Sequence, residues 1–176
     1  MKKILYLLKV IFVFLLIQSN ALCKLPDFAV FGSSTTVIDC TDNLIYGLKV
    51  GLTSLDAYIV PIGGASLHII KSFDPVCDTG TVVNIKHNGV TFNTFNTFEV
   101  VIFGDVNGDG NIDAIDAGRI VDYENNMLIW NPAKELCFLR AADVNGDNNF
   151  DSIDAGFVFD CEYYQKTKNQ ITVLAN

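Results

Sequence analysis

The chain has 176 residues, 50% of them hydrophobic, and carries 12 basic side chains against 20 acidic ones, a net charge of −8. That apolar fraction excludes wholesale disorder, and a strongly acidic chain is a poor partner for nucleic acid phosphates. The length suits one ordinary domain or two small ones.

The chain opens on Lys2 and Lys3, continues as an apolar run over 4–17 interrupted by Lys9, and reaches Ser19-Asn20-Ala21. A basic start, a short apolar stretch and small residues before a cut make a secretory signal peptide over 1–21, cleaved after Ala21. The run is shorter than the ~20 residues a membrane span needs. No span is therefore expected after cleavage; an uncleaved anchor is the alternative. Leu22 stands before Cys23, where lipidation wants a small residue.

Residues 22–103 read as a small β-rich module. Residues 67–72, 81–86 and 98–103 are β-branched and apolar and predict strands. Asn88-Gly89 predicts a hairpin turn. Thr53-Ser54-Leu55-Asp56 resembles a capping box and predicts a short helix to about Val60. The stretch 92–98 places Phe at every third residue, which fits no regular strand. It predicts a bulge or irregular edge, serving the core or stacking on sugar. His68 and His87 are isolated, with no grouping that makes a nucleophile. No carboxylate pair outside the acidic half suits glycoside hydrolysis. The chain is therefore expected not to be an enzyme. Cys23, Cys40, Cys77, Cys137 and Cys161 remain after cleavage, and Cys40–Cys77 is the expected disulfide, within one module.

The acidic half follows. Between Asp105 and Glu162 lie 13 of the 20 acids, against only Arg119, Lys134 and Arg140. The shift falls near Gly104 and sets the expected domain boundary there. Residues 105–118 read DVNGDGNIDAIDAG and residues 143–156 read DVNGDNNFDSIDAG, an offset of 38 with differences only at positions 6, 8 and 10. Two related units are thus expected to pack about a pseudo-twofold axis.

Each repeat has the chemistry of a calcium loop. Side-chain oxygens stand at positions 1, 3, 5, 9 and 12: Asp105, Asn107, Asp109, Asp113 and Asp116, then Asp143, Asn145, Asp147, Asp151 and Asp154. Calcium takes six to eight oxygens, and a tight loop of about twelve residues can supply them. Position 7 adds a backbone carbonyl, from Asn111 and Asn149. Gly110 and Asn148 suit the sharp turn at position 6. Ile112 and Phe150 at position 8 are expected to point inward and pair the loops. Two calcium ions are therefore expected. Magnesium fits less well, and zinc would want His or Cys, which the loops lack. The first loop follows a strand pattern rather than a helix. A helix follows each loop, with Ile153, Phe157, Val158, Cys161 and Tyr164 as one stripe and Ile115, Ile120, Tyr123 and Met127 as its twin. Asn131-Pro132 predicts the start of an intervening helix through Arg140.

With Asp rather than Glu at position 12, no helix before the first loop and a helix between the repeats, residues 104–164 resemble a dockerin. The resemblance is carried by GDVNGDGNIDAIDAG and ADVNGDNNFDSIDAG. It implies an α+β chain: a β-rich module over 22–103, an all-α dockerin of two calcium loop–helix repeats over 104–164, and a tail over 165–176. It also implies a cohesin module of a scaffold protein as partner, in a secreted complex for polysaccharide degradation. The partner-facing positions it implies are Ala114, Ile115, Ser152 and Ile153, then Val121, Asp122, Tyr123 and Asn126 with their mates Phe159, Asp160, Cys161 and Tyr164. Many dockerins carry Ser-Thr and Lys-Arg at such places; this chain has Ala-Ile or Ser-Ile, and Asp. Ile115 and Ile153 read equally as core residues. Gly118 and Gly156 serve either helix packing near the axis or close approach of a partner. An anaerobic source, which the resemblance suggests, would leave the cysteines reduced. The alternative function is a calcium-stabilised surface or matrix protein, or a carbohydrate-binding accessory protein, without a cohesin partner.

Overall fold

The computed structural model describes residues 28–30, 36–56, 58–61, 65–71, 77–87, 90–91 and 97–163. The segment 1–21, Cys23, the Asn88-Gly89 turn, residues 92–96, Tyr164 and the tail 165–176 lie outside them. The architecture is α+β: a sheet region followed by helices.

The strands are β1 (Phe28–Val30), β2 (Val37–Asp39), β3 (Leu44–Tyr46), β4 (Ile59–Pro61), β5 (Ala65–Lys71), β6 (Val82–His87), β7 (Val90–Thr91) and β8 (Thr97–Val100). β1 and β4 form a two-stranded antiparallel pair. The larger sheet runs β2-β3-β8-β6-β5, with β7 on β6. Its β3–β8 pairing is parallel, with Leu44 opposite Glu99 and Ile45 opposite Val100. β2 and β3 form a hairpin whose turn is fixed by Asp39, whose Oδ1 accepts from the Thr41 amide at 2.7 Å and the Asp42 amide at 3.2 Å.

Period-two alternation along the central strands builds two cores. Leu44, Tyr46, Val101 and Phe103 join the helices in one; Ile45, Val100 and Ile102 join Leu48, Leu55, Ile59, Val83, Ile85 and Phe98 in the other. This is why 98–103 carries apolar residues on both of its faces, as strands covered on two sides do. Only its first part is ladder. Beyond Val100 the chain continues to alternate, held by the Val101 amide on the Ile45 carbonyl at 2.9 Å. Phe98 is fully buried, so this last phenylalanine of the Phe-rich stretch is core.

Two expectations in this half are corrected. The Thr53–Asp56 stretch leads into a single turn closed by the Ile59 amide on the Leu55 carbonyl at 2.9 Å, and Ser54 Oγ accepts from the Asp56 amide at 3.1 Å. The chain then enters β4 instead of a helix, because pairing with β1 captures 59–61. Cys40 is disulfide-bonded, but not to Cys77, which is a free thiol buried in the sheet core. Burial pushes the Cys77 thiol up. Export permits a disulfide, but only geometry selects the pair.

Among the described residues three helices follow: α1 (Ala114–Glu124), α2 (Leu136–Ala142) and α3 (Ser152–Tyr163). α1 and α3 pack on each other, as two repeats about a common axis should. The intervening helix starts later than Asn131. Asn131 and Pro132 open a turn in which Asn131 Oδ1 accepts from the Ala133 amide at 2.9 Å and the Asn131 carbonyl accepts from the Glu135 amide at 2.7 Å. Helix geometry begins only at Leu136. Among the described residues no helix is long and apolar enough to cross a membrane.

The expected helical stripes hold only in part: Ile120, Tyr123 and Val158 pack inward. Ala117, Ile120, Ala155 and Val158 are buried, whereas Ile115, Ile153, Phe157 and Met127 are exposed. The loops set the phase: Asp116 and Asp154 must turn inward to hold the loop backbone, and that rotates positions one residue earlier outward.

Candidate calcium loops and docking face

The two loops share most of their hydrogen bonds. In the first, Asp116 Oδ1 accepts from the amides of Val106 at 2.9 Å and Asn107 at 3.0 Å, and its Oδ2 from Asp113 at 3.0 Å. In the second, Asp154 Oδ1 accepts from Val144 at 2.8 Å and Asn145 at 3.0 Å, and its Oδ2 from Asp151 at 3.2 Å. Position 1 closes the other side: Asp105 Oδ1 accepts from Gly108 at 2.8 Å, and Asp143 Oδ1 from Gly146 at 2.8 Å. Asn107 and Asp109 are linked side chain to side chain at 2.8 Å, as are Asn145 and Asp147 at 3.0 Å. Asp113 caps α1 by accepting from Ile115, and Asp151 accepts from Ile153, both at 2.8 Å. Position 6 is left-handed in both, φ 81° at Gly110 and 64° at Asn148, as the turn there requires.

Asp105, Asp116 and Asp154 are fully buried. Burial pushes Asp105 up to about 7, against the amide bonds from Thr79 and Gly108 that favour its charge. Burial likewise pushes Asp116 up to about 6 and raises Asp154. Buried carboxylates in this state are stabilised by a nearby cation. The donor set is oxygen throughout, which fits calcium. Among the described residues no three His, Cys, Asp or Glu side chains are gathered closely enough to hold a metal ion in this geometry; the carboxylates rest on backbone amides instead.

Ile112 and Phe150 both pack against the helical core, and Ile112 also reaches the sheet core. Phe150 stands edge-on to Tyr123 at 5.9 Å, and Tyr123 stacks on Trp130 at 4.9 Å. Tyr123 therefore packs inward, unlike its neighbours Val121 and Asp122, which are exposed.

Residues 103–159 match the family model of the dockerin type I domain. The chain carries a dockerin. Such a domain is a non-catalytic module that docks to cohesins in cellulosome-type assemblies. No significant match was found among curated proteins or solved structures.

On the outer side of the dockerin, one row from each repeat faces solvent. Ala114, Ile115, Gly118, Val121 and Asp122 are exposed on α1, and Ser152, Ile153, Gly156, Phe159 and Asp160 on α3. Ile115 is 61% and Ile153 59% exposed, so neither is core. A Cβ built on Gly118 or Gly156 meets nothing within 4 Å. Packing near the axis therefore does not explain these glycines. Asn126 is exposed at the end of α1, Cys161 is half-buried on α3, and Tyr164 lies outside the described residues. In the sheet half, His68 is exposed on β5. The turn that covers the first loop, 78–81, is a contribution that the repeat alone did not reveal; its only trace was position in an otherwise polar stretch.

Proposed function

We propose that the protein is a secreted, non-catalytic dockerin protein that binds two calcium ions and attaches to a cohesin of a scaffold, within a polysaccharide-degrading complex. Asp105, Asn107, Asp109, Asp113 and Asp116 hold the first ion with the Asn111 carbonyl. Asp143, Asn145, Asp147, Asp151 and Asp154 hold the second with that of Asn149. Residues 1–21 direct export and are removed, and 22–103 and 104–164 are the two modules.

The observation that carries the reading is the twin exposed row. Two isoleucines at matching places, each beside an exposed glycine, form apolar anchors that a folded partner can cover. Ala114, Val121 and Asp122 complete one copy, and Ser152, Phe159 and Asp160 the other. Capture by a panel of cohesin modules, with calcium and with chelator, tests it. Calcium-dependent capture by at least one cohesin is expected. Calcium binding with no capture by any of them would favour the calcium-stabilised surface protein instead.

A further inference from the structure

We propose that the turn at 78–81 of the sheet half is a working part of the first calcium loop, with Thr79 as its positioning residue, so that two loops of near-identical sequence bind calcium unequally. The inference rests on the calcium reading above and adds an asymmetry that the repeated sequence does not contain.

The contact is direct. The Thr79 amide donates to Asp105 Oδ2 at 3.0 Å, a position 1 oxygen, across 26 residues of chain. Thr79 is itself fixed: its Oγ1 donates to the Ile102 carbonyl at 3.2 Å and accepts from the Ile102 amide at 3.0 Å. The next residue, Gly80, donates its amide to the Val100 carbonyl at 2.9 Å. The turn and the strand that delivers the loop thus form one piece. Its fit against the loop is close, since a Cβ on Gly108 would lie 2.6 Å from the Thr79 carbonyl oxygen. Asp105, Gly108 and Gly110, at positions 1, 4 and 6, are all buried.

The second loop has different surroundings at the same three positions. Asp143, Gly146 and Asn148 line an open cleft of about 520 Å³ with Val37, Cys40 and Tyr46. Asp143 is buried as Asp105 is, but Gly146 is half-buried and Asn148 exposed. Groups that hold a ligand carboxylate in place typically change metal affinity about ten- to a hundredfold when removed. The first loop has such a group in Thr79, so the first site is the tighter one.

Single-site backgrounds of the full chain separate the loops: Asp147→Ala leaves the first and Asp109→Ala the second. Calorimetry with calcium reads each. Thr79→Val, which removes both hydroxyl bonds to Ile102, should weaken calcium about ten- to a hundredfold in the Asp147→Ala chain. It should leave the Asp109→Ala chain unchanged, and Thr79→Ser should restore the first site. Equal losses in both backgrounds, or no loss in either, overturn the inference. If Thr79→Val does not fold, hydrogen exchange at the Thr79 amide decides. Calcium should slow it in the Asp147→Ala chain and not in the Asp109→Ala chain; the same response in both overturns the inference. Two-site stoichiometry persisting in both backgrounds would overturn the calcium assignment itself, and this inference with it.

Discussion

Ile115 and Ile153 occupy the same place on α1 and α3 and are exposed almost equally, 61% and 59%. Asp122 and Asp160 match in the same way in the repeated sequence, and under the proposed docking a cohesin engages either copy through equivalent contacts. Ile115→Asp or Ile153→Asp alone should then cost little affinity, while the double variant should abolish capture. Titration against one cohesin by calorimetry checks this. Loss of binding in either single variant, with helix content intact, would show that one face alone is used.

The same residues separate surface from core. Ile120, five residues further along the same helix, is fully buried. Ile120→Ala should destabilise by about 2–5 kcal/mol, and Ile115→Ala by less than about 0.5 kcal/mol. Urea unfolding of the calcium-loaded chain measures both. Comparable losses would return Ile115 to the core.

Gly118 and Gly156 give a prediction of opposite sign for stability and docking. With nothing within 4 Å of an added Cβ, Gly118→Ala and Gly156→Ala should each stabilise by about 0.5–1 kcal/mol through helix propensity. Arg at both positions should keep the fold and block cohesin. A fall in the thermal midpoint of the Ala variants would contradict the open surroundings.

Asp116→Ala removes the acceptor for the amides of Val106, Asn107 and Asp113. Stranding buried donors costs about 1–3 kcal/mol each at most, so a loss on the order of 3 kcal/mol is expected. The first calcium site should be lost as well. Unchanged stoichiometry would remove Asp116 from the ligand set.

Chelation should unwind α1 and α3, because metal binding free energy is folding free energy in loops of this kind. Trp130 is buried and stacks on Tyr123, which touches Phe150 of the second loop. Its emission should shift to the red with the loss of helical circular dichroism. An unchanged spectrum on adding chelator would show that the fold does not depend on metal.

The loops and the helices after them were legible because carboxylate spacing dictates the local backbone: a carboxylate at position 12 that must reach back to positions 2 and 3 fixes both the loop and the first helical turn. Helix phase was not legible, because counting apolar residues gave Ile115, Ile153 and Phe157 the same weight as Ile120 and Val158. The capping carboxylates, not the apolar residues, orient these helices. In the sheet half, β5, β6 and β8 showed their β-branched patterns, β5 and β6 displaced by one or two residues and β8 ending three residues before the expected run. β1 to β4 did not, since strands of three residues are too short for a period to show and owe their existence to distant partners. The Thr53–Asp56 motif was real as a turn, but local preference lost to pairing between β1 and β4. The Cys40–Cys77 expectation failed for the same reason: sequence distance says nothing about which face a side chain takes.

The alternation of 98–103 between two cores has a consequence for insertions and deletions. Val101 and Phe103 serve the helices while Val100 and Ile102 serve the sheet. Removing one residue here would exchange the tenants of both cores at once, since a shift by one reverses every side chain. It would also draw the first loop about 3.3 Å along its path, out of reach of Thr79. The stretch from β8 into the first loop should therefore tolerate no change in length, whereas residues 125–127 just after α1, all exposed, are where the spacing of the two repeats is free to vary.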